Sequence, residues 1–169
     1  MEWQAFECVE EWRLPFVPDS GHGAPTQIVD ACGAVGRDLY CRKHGSEQHI
    51  ERSEWTIALM ETGHCHVGLE PVPHHRRPAI EQFRGFSFGA LHIDDTLAEA
   101  TVVVADSVQG ELAGYYPFIQ WPIQEKRLLL PVVRDGTAVW RDPRTDLTVA
   151  EIGLLTDRPR DPQRTRVIR

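Results

Sequence analysis

The sequence predicts an α+β fold with a mainly antiparallel sheet, strand-dense in its second half, and one or two short helices. Three observations predict it. From Phe86 onward, β-branched and aromatic runs alternate with turn residues: FSFGALHID, ATVVVADS, GELAGYYPFIQW, RLLLPVV and TAVW. Asp135-Gly136, between LLLPVVR and TAVW, is a short-range hairpin signal, because both central positions of a type I′ turn need positive φ. Helical signals are confined to short stretches, and the chain has no internal repeat and no low-complexity tract.

The elements follow in order. Trp3, Phe6, Val9 and Trp12 recur every third residue as on a helix, while Phe6 and Cys8 alternate around Glu7 as in a strand, so both readings stand for the first element. LPFVPDSGHGAP, with three prolines and two glycines, is a loop. TQIVDA reads as a short strand, CGAVGRD as a glycine-punctuated turn and LYCRKHG as a short extended segment. RSEWTIALMETG admits either a helix from an N-cap at Ser53 to Gly63, or a hairpin pairing Ile57 and Leu59 with Cys65, Val67 and Leu69 across METGH. Alternation continues on both sides of the turn, which favours the hairpin. PVPHHRRP suits an extended polyproline-like loop, and PAIEQFR a short helix opening at Pro78 and stopping at Gly85. LTVAEIGLL closes the series as a strand or a short helix.

A chain of 169 residues fits one domain able to bury a core without disulfide staples. We assign that domain to residues 1–156 and a basic tail to 157–169. With 41% hydrophobic residues, 25% charged and five Trp, the composition excludes wholesale disorder. The acidic N-terminus lacks the pattern of a signal peptide, and no stretch approaches the roughly 18 apolar residues of a membrane span. The expected location is therefore the cytoplasm, where cysteines act as free thiols or metal ligands. Net charge is −7, but the tail holds five Arg against two Asp, or +3, so residues 1–156 carry −10. Such a body repels nucleic-acid phosphate and favours basic protein surfaces.

All eight His and all four Cys lie between Cys8 and His92, which confines thiolate and imidazole chemistry to the first half. Zinc takes four ligands, commonly as two closely spaced pairs. Cys41-x2-His44 makes one pair; His64, Cys65 and His66 supply another, and Cys32 is a further donor. In an extended strand His64 and His66 share a face and Cys65 points away. The rival reading is small buried thiols and surface histidines. A catalytic cysteine would need an imidazole brought to it through space, and Ser20 with His22 lacks the nucleophile elbow. His92 and Asp94 form an H-x-D pair, but no later His completes an iron triad. Walker, dinucleotide and zincin motifs are absent.

Candidate partner contacts are His74, His75, Arg76 and Arg77 in the proline-flanked loop, the aromatics Tyr115, Tyr116 and Trp121, and Arg158 and Arg160 in the tail. The expectation is a non-enzymatic acidic protein-binding module. It acts as adaptor or inhibitor on a basic protein surface, for instance one that binds nucleic acid, with one zinc as a stabilising cofactor. The alternatives are a small metal- or thiol-dependent hydrolase and a nucleic-acid binder working through HHRR and the tail.

Overall fold

The computed structural model describes residues 7–19, 23–41, 50–72, 83–114 and 118–156. Among them run β1 (Cys8–Pro15), α1 (Thr26–Cys41), a 3-10 turn (Ile50–Arg52), β2 (Ser53–Met60), β3 (His64–Pro71), β4 (Phe86–His92) and α2 (Leu97–Gly114). Then come β5 (Ile123–Gln124), β6 (Arg127–Leu128), β7 (Leu130–Arg134), β8 (Thr137–Arg141) and β9 (Thr148–Glu151). The strands form a four-stranded sheet β1-β2-β3-β4, a ribbon β5-β6 and a three-stranded sheet β7-β8-β9. Every ladder is antiparallel, so the fold is α+β with a strand-rich second half, as the sequence predicts.

Period-two alternation builds the first sheet. The β2–β3 hairpin pairs Ile57 with Val67 and Leu59 with Cys65 across a turn closed by Gly63. Trp55, Ile57, Cys65, Val67 and Leu69 point into the core. Of the first predicted element, Trp3 and Phe6 lie outside the described residues, and Cys8–Pro15 is a strand, with Trp12 opposite Ile57 and Leu14 opposite Trp55. Asp135 and Gly136 both take positive φ between β7 and β8, as the hairpin signal requires.

Several segments predicted as extended belong to two helices. TQIVDA, CGAVGRD and the start of LYCRKHG merge into α1, whose stripe Ile28, Cys32, Val35 and Leu39 is buried at helical spacing. Gly36 is not a turn residue there. A Cβ on it would stand 2.3 Å from the Phe16 carbonyl oxygen, so its bareness lets the helix lie against the chain leaving β1. ATVVVADS and the start of GELAGYYPFIQW form α2, which buries Ala100, Val104, Ala105, Val108 and Leu112. The valine run favours a strand by propensity, but helical burial and a capping box override it. Glu99 N–H donates to the Thr96 hydroxyl at 3.3 Å, and Thr96 N–H donates back to the Glu99 carboxylate at 2.9 Å. Of the helix predicted from Pro78, residues 78–82 lie outside the described set, and Phe83 to Gly85 are not helical.

The helices pack on each other between the sheets. Towards the first sheet α1 meets Phe16 and Trp55, and its Asp38 reaches Trp140 of β8; α2 touches β4 on one side and β7 and β8 on the other. One continuous apolar cluster runs through all three layers. The first sheet thus buries one face and leaves the other to solvent, an arrangement open to antiparallel sheets.

Candidate functional site

Among the described residues the predicted metal ligands do not converge on one point. On β3 the side chains of His64 and His66 are exposed on the open face, whereas Cys65 is fully buried. Cys32 is likewise buried, within α1. Burial pushes both thiols up, with Asp95 adding to the effect at Cys65, opposite to the shift a thiolate ligand or nucleophile needs. Cys41 ends α1 half-buried, and its partner His44 lies outside the described residues. Among the described residues no group of three His, Cys, Asp or Glu is placed to hold a metal ion.

The predicted partner contacts fare differently from one another. His74, His75, Arg76, Arg77, Tyr115, Tyr116, Arg158 and Arg160 lie outside the described residues. Trp121 is a correction: it is 1% exposed, with its ring edge-on to Trp140 at 5.3 Å, so it belongs to the core and presents no surface to a partner. His92 ends β4 directly opposite His64.

The open face has a definite charge. Glu54 and Glu70 stand opposite each other in the β2–β3 ladder, a like-charge pairing that destabilises unless a cation intervenes. Arg13 of β1 supplies it, reaching Glu54 at 2.5 Å, Glu70 at 3.5 Å and Glu11 at 3.9 Å. The hydrogen bond to Glu54 holds the guanidinium above its usual range. Arg13 among three glutamates, with Arg84 bordering Glu70 and Glu111, leaves the patch negative.

The same imbalance extends over the whole sheet and onto α2. Within residues 7–15, 53–71 and 86–114 there are eleven carboxylates (Glu7, Glu10, Glu11, Glu54, Glu61, Glu70, Asp94, Asp95, Glu99, Asp106 and Glu111) against Arg13 alone, and none of the eleven is buried. The hairpin-rich segment 123–151 carries five Lys and Arg against five Asp and Glu, so it is neutral. The chain matches no family model, no curated protein and no solved structure. Among the described residues no helix is long and apolar enough to cross a membrane.

Sequence reading found the excess charge but not its location. A signal was present: no Lys or Arg occurs from Gly85 to Glu125. With that segment read as strands, its carboxylates could not be assigned to a helix flanking the sheet.

Proposed function

We propose that this protein is a non-enzymatic binding module that docks the acidic surface of β1–β4 and α2 onto a basic protein and so acts as its inhibitor or adaptor. The observation that carries the reading is the excess of eleven exposed or half-exposed carboxylates over Arg13 within that region and Arg84 at its border, set against the neutral segment from residue 123 to residue 151. An uneven field of this kind steers an oppositely charged partner at long range and orients it before contact. A partner that binds nucleic acid through the same basic patch would be blocked by simple occupation. The antiparallel ladder makes the platform firm, so little ordering is required on binding.

The test compares the wild-type protein with E10K/E11K/E61K, three exposed positions outside the core. Each is immobilised in cell extract at about 0.15 M and about 1 M salt, where the Debye length falls from about 8 to about 3 Å. The affinity of any retained protein is then measured after purification. Wild-type protein should retain a basic protein at the lower salt and release it at the higher, and the variant should fail to retain it. Equal retention by the variant, or retention indifferent to salt, would remove the reading. If the retained protein acts on nucleic acid, the two ligands should compete.

A further inference from the structure

We propose that His64 and His92 form a two-histidine site for a borderline divalent metal ion, represented by zinc, on the open face of the first sheet. The two residues are direct partners in the β3–β4 ladder, so their side chains leave the sheet on the same side. Their ring centres lie 5.2 Å apart with the planes at 81°. Two imidazoles sharing one tetrahedral zinc, each nitrogen about 2.0–2.1 Å from the metal, have their ring centres about 5 Å apart. The ladder thus holds the two rings at a separation that one zinc could bridge.

The hydrogen bonds of His92 select the nitrogen that would bind. Nδ1 accepts the Asp94 N–H at 3.2 Å, which requires a lone pair there and places the ring proton on Nε2. Nε2 in turn faces the Thr62 carbonyl oxygen at 3.4 Å. A ring N–H directed at a backbone carbonyl is how metal-ligating histidines are commonly fixed; a metal at Nδ1 takes the lone pair that the Asp94 N–H now uses, so binding exchanges that hydrogen bond for coordination. Asp94 adds an exposed carboxylate oxygen 3.5 Å from Nδ1, which favours a cation beside the lone pair. Gly63 makes room for the ring, because a Cβ there would come within 2.7 Å of Nε2. His66 is on the same face, but its ring lies over Gly89, where a Cβ would be 2.8 Å from Cε1, so it is engaged elsewhere. The site has two protein ligands, with water completing the shell, and it binds more weakly than a closed four-ligand site. It does not depend on the docking role proposed above.

Calorimetric titration of zinc chloride into the full chain tests the site. Zinc should bind wild-type protein, H64A and H92A should each weaken it at least about tenfold, as loss of a ligand must exceed loss of an outer partner, and H66A should bind like wild type. The substituted side chains lie outside the apolar core, so the metal-free variants should still unfold cooperatively on heating, H92A slightly earlier for its lost contacts with Asp94 and Thr62. Ring-carbon and ring-proton signals of His64 and His92 should move on zinc addition in the wild-type protein while those of His66 stay, a readout that needs no substitution. Wild-type affinity in H64A/H92A, no zinc binding by the wild type, or unmoved His64 and His92 signals would each overturn the proposal.

Discussion

Asp38 is a fully buried carboxylate that ties the end of the described chain to α1. It accepts the Trp140 indole N–H at 2.6 Å and the backbone N–H groups of Gly153 at 2.7 Å and Leu155 at 2.9 Å. Burial pushes the carboxyl up, and the three donors together with Arg37 draw it part of the way back. Alanine at this position strands three buried donors, each costing about 1–3 kcal/mol when left without an acceptor. D38A should therefore lose about 3 kcal/mol or more, read as a lower urea midpoint. D38N keeps one oxygen, able to serve Trp140 and Gly153 but not Leu155, and should lose less. An unchanged midpoint in D38A would show that water replaces the carboxylate. Nothing in the GRDLY stretch marks this aspartate as buried; its role depends on a tryptophan 102 residues further on. His64 and His92 were hidden for the same reason, since their meeting depends on a ladder with a bulge between Cys65 and Val67.

Among the elements, the ones legible in the sequence are those whose signals are local. The β2–β3 hairpin follows from alternation and a glycine turn, and the β7–β8 hairpin from Asp135-Gly136. The helices were misread where local signals point the wrong way. Valines 102–104 have strand propensity, and Gly33 and Gly36 look like turn punctuation, although both glycines are buried in α1. Gly36 is a contact residue, which gives a test with an internal control. Glycine in a helix ordinarily costs about 0.5–1 kcal/mol relative to alanine. G110A, in α2, meets nothing within 4 Å and should stabilise the protein by up to that amount. G36A drives a methyl group to 2.3 Å from the Phe16 carbonyl oxygen. Backbone cannot yield cheaply, so a loss of about 1–3 kcal/mol is expected, as for overpacked cores. Opposite signs in the two denaturation curves would establish that α1 is seated by close approach; equal gains would show that the loop at Phe16 moves aside without cost.

Over the whole molecule, two groups of carboxyls respond to acid in opposite ways. Asp146 lies below its ordinary value through the hydrogen bond from Arg141 and the charge of Arg134, Asp142 chiefly through the Arg144 N–H, and Glu99 through the Thr96 hydroxyl. Each holds its proton more weakly folded than unfolded. Their contribution is therefore complete above the ordinary 4.5 of Glu99 and 3.8 of the aspartates, and drains away as pH falls through the depressed values. Asp38, raised by burial, has the reverse sign: its contribution is complete below 3.8 and is lost as pH rises through its elevated value. Repulsion among the eleven carboxylates of β1–β4 and α2 also relaxes in acid, and salt screens that effect because those groups are not buried. At high salt, then, the thermal midpoint should fall on acidification from about pH 4.5 to about pH 2.5, the range of the paired carboxylates. D146N removes one of the depressed groups and should make that fall shallower while lowering the midpoint at neutral pH. D38N removes the opposing group and should make it steeper. An acid limb unchanged by D146N would mean that the Arg134 and Arg141 pairs are exchanged for water at no cost, leaving the acid response to Asp142 and Glu99.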